Sequence, residues 1–599
     1  MKKFWFLFLP FVLLIGWSSS AGFAADTSMA FTVSMPQPGS HLFHVDFRCD
    51  GLKGEMQDFI MPAWMPGFYR IMDYQKNVSN FRAADGEGRA LPWEKVARST
   101  WRVVSGDAPT VIVSYDVFGN TAFVANNFLG EERAFIAPPG LYLFVEGLIR
   151  HPVTVAIQLP PNWTRIATGL DPVPGRPNTF SAPDFDVLYD CPVLMGNQEI
   201  EQFEIKGVPH RLAIEFVPES VDRRRMSSDL KRMVEAATGL MGDIPYKHYT
   251  FLLIGRGNGG IEHLNSAACA FNGKSLTDEK GYQGWLSYIS HEYFHHFNVK
   301  RIRPIALGPF DYDEENLTEM LWVSEGLTVY YEDIVLVRAG LMTPGQFLER
   351  LKNAMTRFEN APGRRYQSTT DSSLNTWGTS GVGGDRNTTI SYYDNGGMLG
   401  AMLDLAIRNR SENRKSLDDV MRSLYRTYDQ GKKRGFTDGE FRAECERAAG
   451  GPLTEVFDYA ATTKTVDYAK YFAFAGLKIE AAAQDAPGAA LGFNTQTIEG
   501  TLTVVEVEAG SPALGAGLRA QDRILEVDGT KATPKVLNDI LAAKKTGDTI
   551  KVRYSRAGAP QDLEFALGRK FKYSYAITPI PNPTPLQSAI FKDWLRKAL

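Results

Sequence analysis

Cysteine is scarce: Cys49, Cys191, Cys269 and Cys445 are the only four in 599 residues. They lie far apart and show no metal-ligand spacing, so no cysteine-held metal centre is expected, and their three possible pairings stay open. Excess charge of either sign is also lacking. With 65 basic and 69 acidic residues the formal net charge is -4, and the signs are mixed. Nothing in that balance favours nucleic acid or an anionic membrane surface as a partner. Beyond the first 25 residues no run reaches the roughly 18 uncharged apolar residues of a membrane span. No stable span is therefore expected.

What is present points to an exported, multidomain chain. At 599 residues, 44% of them apolar, the sequence exceeds what one core usually supports, so three or more domains are expected. Lys2 and Lys3, an apolar run from Phe4 to Trp17, and small residues ending Ala21-Gly22-Phe23-Ala24-Ala25 make up the three parts of a secretory signal. Cleavage after Ala24 or Ala25 would release the chain to a periplasmic compartment; an uncleaved anchor is the weaker alternative. No Cys at that junction supports a lipid anchor.

From 26 to 205 short alternating segments such as HLFHVDF (41 to 47) and TVIVSYDV (110 to 117) are broken by Gly, Pro, Asn and Asp. That is an antiparallel β-sandwich pattern. Its aromatic stretch, MPAWMPGFYR (61 to 70), is read as core or inter-domain packing by Trp64, Phe68 and Tyr69, with reach toward an active site as the sharper alternative. Helical patterning opens at about Val221, and the strand-like HYTFLLIG leads to Gly255.

The chemistry centres on HEYFHH (291 to 296), an H-E-x-x-H pattern. Residues four apart on a helix sit one turn above each other, so His291 and His295 can offer imidazoles to one zinc ion while Glu292 projects beside them. Leu286, Ile289, Tyr293 and Phe297 recur at roughly helical spacing and give the helix an apolar face to bury. A catalytic zinc needs a third protein ligand and keeps its fourth position for water. Downstream, Glu325 lies in the apolar context LWVSEGLTVYY, where an unpaired carboxylate is costly to bury and a metal partner explains it. Glu319 competes for the role.

Upstream, GRGNGG (255 to 260) matches G-x-G-x-x-G after a strand, the pattern of a dinucleotide loop. The following IEHLNSAACAFNG is too polar and Gly-interrupted for the crossover helix that reading needs. The same glycines suit an edge strand carrying Gly259, Gly260, Ile261, Glu262 and His263 past a substrate, with Glu262 able to pair with a free α-ammonium. Farther on, residues 366 to 389 are rich in Ser, Thr and Gly, as in a long active-site loop. After them Tyr393 or Tyr392 could donate a phenol to an oxyanion.

Taken together, GGIEH (259 to 263), HEYFHHFNVKRIRP (291 to 304), LWVSEGLTVYY (321 to 331) and SYYDNGGMLGAMLDL (391 to 405) resemble the bacterial glycyl aminopeptidase family of gluzincin zinc metallopeptidases. The resemblance implies a multidomain α+β chain: a signal peptide (1–25), an N-terminal β-sandwich-like domain (26–205), a thermolysin-like, mainly helical peptidase domain (206–474), a C-terminal PDZ domain (475–570), and a Pro-rich segment with a terminal helix (571–599). It implies zinc on His291, His295 and Glu325, Glu292 as catalytic base, Tyr393 as the phenol, and Glu262 with Gly259 and Gly260 at the substrate N-terminus. Small N-terminal residues, Gly or Ala, are the implied preference. One departure is Asn395, where related sequences usually have a lysine before the glycine.

Ala490-Leu491-Gly492-Phe493 looks like a PDZ carboxylate-binding loop, and residues 504 to 531 resemble the strand, turn and short helix that follow it. Backbone N–H groups of Leu491, Gly492 and Phe493 would take a peptide C-terminus; a packing or regulatory module is the alternative. The terminal helix, with Ile590, Phe591, Trp594 and Leu595, is expected to dock on the protein. The expected activity is zinc-dependent removal of N-terminal residues from peptides with a free amino end. An exported zinc endopeptidase and a PDZ-based binding or chaperone-like protein with a silent metal site are the competing readings.

Overall fold

The computed structural model describes residues 27–379 and 387–597, and the signal-like residues 1–25 lie outside the described residues. Alternation builds the first unit. Along Leu42–Asp50 the side chains of Phe43, Val45, Phe47 and Cys49 are buried, while those between them reach the surface. That strand lies in a seven-stranded sheet, between Ser28–Ser34 and Thr110–Phe118. Two four-stranded sheets contribute to the same core through Phe59 and Trp101 on one and Phe135 and Val193 on the other. Phe31 stacks on Phe47 with ring centroids 4.0 Å apart. The arrangement is β-rich and sandwich-like, but not wholly antiparallel. Ser28–Ser34 runs parallel to Val153–Gln158, because the chain returns to its first strand only after several others have intervened.

A five-stranded mixed sheet separates this unit from the helices that follow. Its order is Glu199–Ile205, Val208–Glu215, Tyr249–Ile254, Ser266–Ala270 and Gly260–Glu262. The Tyr249–Ile254 strand is buried throughout because both faces are covered. Phe251 and Leu253 enter the helical core, whereas Leu252 and Ile254 enter the β-domain core. The sheet is thus a wall shared by two domains. The expected boundary at 205/206 falls inside the turn joining two paired strands, so the sheet of the catalytic unit begins at Glu199.

Of the expected loop at 366–389, residues 380–386 lie outside the described residues, and 366–379 differ from it. Ser368 and Thr369 begin a capped helix, Thr369–Leu374, and a further turn follows at Thr376–Thr379. Ser372, Ser373 and Thr376 are buried, so the small polar side chains serve packing and capping there.

Beyond the helices, Leu477–Ala490 pairs with Gly568–Pro579 as a two-stranded ribbon. The PDZ-like core lies at its far end, between Ala489 and Leu567. That narrows the expected 475–570 unit, since most of both ribbon strands lies outside it. The terminal helix Pro585–Leu595 returns to the helical core and buries Ile590, Phe591, Trp594 and Leu595. All four cysteines are buried as free thiols.

Trp594 joins the chain's end to the catalytic unit: its indole N–H donates to Tyr330 Oη at 2.8 Å, and its ring lies against Phe347. Trp594→Ala should destabilise that unit by about 3–5 kcal/mol, read from its denaturant-unfolding midpoint. An unchanged midpoint would show that the helix is not integral to the core.

Candidate active site

Asp278 caps the helix Glu279–Phe294 by accepting from Gly281 N. Tyr282, Leu286, Ile289 and Tyr293 bury one face, and His291 and His295 stand together at its C-terminal end. Glu325 arrives on a π-helical turn, Trp322–Gly326, ahead of the helix Leu327–Arg338. Glycine makes that approach possible. A Cβ on Gly326 would lie 2.4 Å from Gly396 Cα, so only bare backbone lets this turn meet the helix Tyr392–Arg410 so closely.

The three donors converge. His291 Nε2 and His295 Nε2 are 3.0 Å apart, and Glu325 Oε2 lies 3.5 Å from the first and 3.2 Å from the second. Ligands at the bond lengths of a tetrahedral zinc site stand about 3.3 Å from one another. The set therefore has the chemistry and spacing of a two-imidazole, one-carboxylate zinc site, and it is the one such cluster among the described residues. Glu319, the competing candidate, is exposed and outside it.

Each imidazole is held from behind. His295 Nδ1 is 2.7 Å from Asn298 O, a carbonyl that can only accept, so the proton sits on Nδ1 and the Nε2 lone pair faces the site. His291 Nδ1 is 2.8 Å from Glu332 Oε2, and Glu332 is itself held by Arg350 Nη2 at 2.8 Å and by Ser287 Oγ at 3.0 Å. Burial would raise the Glu325 carboxyl, but the imidazoles of His295 and His291 outweigh it and hold the group well below its ordinary range. Burial raises Glu292 to about 7, against the pull of the same two imidazoles.

The edge strand Gly260–Glu262 flanks the base. A Cβ on Gly260 would sit 2.2 Å from Glu292 Oε1, so any side chain here would displace that carboxylate. Gly259 O accepts from Ala270 N at 3.0 Å, which fixes the start of the strand. Glu262 is 4% exposed and faces a cavity of about 220 Å³. Lys300 Nζ lies 3.6 Å from Glu262 Oε1 and 2.7 Å from Asp190 Oδ1. Around this cavity stand the carboxylates of Asp184, Asp186, Asp190 and Glu262 and the cations Arg150, Lys300 and Arg303, a formal excess of one negative charge.

The two tyrosines stack with ring centroids 4.8 Å apart but have different surroundings. Tyr392 is 2% exposed, with its hydroxyl 3.2 Å from Thr376 Oγ1, whereas the Tyr393 ring stands 6.2 Å from that of His291. Burial, then the Glu325 charge, raises the Tyr393 phenol. The aromatic stretch divides likewise. Trp64 packs between domains against Phe310, Tyr312 and Trp377, and Phe68 packs on Phe123. Tyr69 instead lines the Glu262 cavity and is raised by burial, then by Glu325 and Glu262. The GRGNGG stretch is followed by a strand and not a helix, so it has no helix N-terminus for a pyrophosphate. At the far end of the chain Leu491 and Phe493 are buried, and Gly492 takes a φ of 74° in the loop before Phe493–Ile498.

Sequence reasoning missed Glu332, Asn298, Lys300 and Asp190. Glu332 carried a usable signal: it lies two helical turns after Glu325, on the same side of the second helix.

A model of the M61 peptidase N-terminal domain matches residues 30–197, one of M61 glycyl aminopeptidase matches 284–399, and one of the PDZ domain matches 489–567. The chain carries the M61 peptidase N-terminal and M61 glycyl aminopeptidase domains, followed by a PDZ domain. It is accordingly a zinc metallopeptidase. The M61 chain is similar in structure to an aminopeptidase N family protein from Idiomarina loihiensis, at 27% identity and TM-score 0.74 over 95% of this chain and 100% of that one. An M1 zinc metallopeptidase from Deinococcus radiodurans matches 74% of this M61 chain and 95% of its own length, at 12% identity and TM-score 0.47. Among curated proteins there is no match. No helix of the described residues is long and apolar enough to cross a membrane.

If Glu332 orients His291, Glu332→Gln should weaken zinc binding by about 10–100-fold. Chelator competition measures this, and wild-type affinity would remove the role.

Proposed function

We propose that this M61 chain removes small N-terminal residues, Gly or Ala, from peptides, using one zinc ion on His291, His295 and Glu325. The observation that carries the reading is that these three donors lie with a buried Glu292, whose charge Glu262 feels, and that Glu262 lines a cavity with a formal excess of one negative charge. Zinc, when bound, polarises the scissile carbonyl and acidifies a water. Glu292 takes the proton of the attacking water and delivers it to the leaving amine. Tyr393 donates its phenol to the carbonyl oxygen as charge develops there. Glu262 receives the substrate ammonium in place of the missing countercharge, and the Gly259–Gly260 edge lets the peptide backbone approach. The small-residue preference rests on the family described as glycyl aminopeptidase.

The signal-like first 25 residues support export to the periplasm. Four buried free thiols are compatible with that destination, because the fold does not rely on disulfides. The PDZ domain supports a peptide C-terminus as a second partner.

Glu292→Gln should keep stoichiometric zinc while lowering kcat by about 10²–10⁴-fold; steady-state kinetics with metal analysis checks both, and undiminished turnover would remove Glu292 as the base. Free alanyl and glycyl peptides should be cleaved and their N-acetylated forms spared, with Glu262→Ala eroding that distinction through KM. Equal cleavage of the acetylated forms would favour an endopeptidase.

A further inference from the structure

A PDZ domain takes the last side chain of a peptide into an apolar pocket between one sheet edge and one helix, with the terminal carboxylate on the adjoining loop. In this chain those walls are the strand Phe493–Ile498 and the helix Pro534–Ala543. Tyr366 belongs to the buried core that these walls enclose. This residue is 5% exposed and shares that core with Leu491, Phe493, Leu537 and Leu541, although it lies more than 120 positions earlier, in the catalytic unit. Both walls grip the same short segment. Tyr366 Oη donates to Asn538 Oδ1 on the helix at 2.9 Å, and Thr495 Oγ1 on the strand donates to Arg365 O at 3.5 Å. Gln496, also on the strand, donates to Asp371 at 2.5 Å.

From Tyr366 the chain runs directly into the wall of the active site. Ser373 Oγ accepts from Trp322 N at 3.1 Å, the first residue of the turn that presents Glu325. Thr369 accepts from Asn395, two residues after Tyr393. Gln367 Oε1 accepts from Ile390 N at 2.9 Å, and Ser372 Oγ donates to Ile390 O at 2.7 Å, just before the helix that carries Tyr393. One end of this segment therefore sits in the PDZ groove, and its other end fastens the turns bearing Glu325 and Tyr393.

We propose that Tyr366 is the resident ligand of the PDZ groove, and that a peptide with a free C-terminal carboxylate and an aromatic last residue competes for the groove and loosens the active-site wall. Tyr366 lies within the chain and has no carboxylate to offer Leu491, Gly492 and Phe493. A peptide terminus supplies that group and gains a contact the resident lacks. Against this, the resident is tethered, with an effective concentration on the order of millimolar, so occupation by free peptides is weak until Tyr366 is displaced. Tyr366 is a positioning residue in this account, acting on Glu325 and Tyr393 through the 366–376 segment.

The test uses the full zinc-loaded chain and a fluorescent, N-acetylated hexapeptide ending in phenylalanine, with its C-terminal amide as control. Tyr366→Ala should bind the acid by about tenfold or more tightly than the unmodified chain, with the amide binding weakly to both. The same variant should lose kcat, and Tyr366→Phe should restore both properties toward wild type. Saturating acid peptide should also speed hydrogen exchange of residues 366–376 in the unmodified chain, a readout that needs neither activity nor a variant. Equal affinity of Tyr366→Ala and wild type for the acid would overturn the proposal. So would equal binding of acid and amide, or unchanged exchange with the peptide bound. Because anisotropy and exchange do not depend on catalysis, these failures are distinguishable from failure of the aminopeptidase reading.

Discussion

Burying Glu325 between two imidazoles is the constraint on which the catalytic unit depends. A carboxylate 2% exposed to solvent stands against His291 and His295, and the three groups together form a receptacle for one divalent cation. Everything nearby maintains that convergence. Asn298 and Glu332 fix the imidazoles from behind, and the Gly326–Gly396 contact draws the turn bearing Glu325 against the helix that begins with the two tyrosines. A π turn at this point rotates one residue out of regular helical register, a distortion common where a side chain must be aimed at a site.

The shared sheet extends the same logic outward. Because Tyr249–Ile254 sends alternate side chains into the β-domain and the helical unit, the two domains cannot separate without exposing an apolar face of the sheet. Its edge strand brings Gly260 against Glu292 and Glu262 against Lys300. The β-domain contributes Tyr69 and Arg150 to the same cavity, so its lining comes from both sides of the wall. The terminal helix and the PDZ domain close the arrangement from the other direction, one through Trp594 and the other through Tyr366.

Much of this was legible in the sequence wherever a short-range period carried the information. Four-residue spacing placed two imidazoles on one helical face, two-residue alternation marked the β-domain strands, and an isolated Glu in LWVSEGLTVYY stood out against its apolar neighbours. Tertiary partners left weaker traces. Glu332 reads as one more polar residue on a helix until Arg350 and Ser287 are seen around it. Residues 366–379 look like a loop because Ser and Thr favour turns, yet here they cap short helices and bond buried backbone. The 205/206 position lies in a hairpin inside one sheet, whose turn residues look in sequence like a linker between two domains.

The most direct measurement is zinc K-edge X-ray absorption on the purified chain loaded with one equivalent of zinc. The account predicts nitrogen and oxygen scatterers only, at about 2.0–2.2 Å, with the outer-shell pattern of two imidazoles. A sulfur scatterer, or a shell with fewer than two imidazoles, would contradict the assignment of His291, His295 and Glu325 as the metal-holding set.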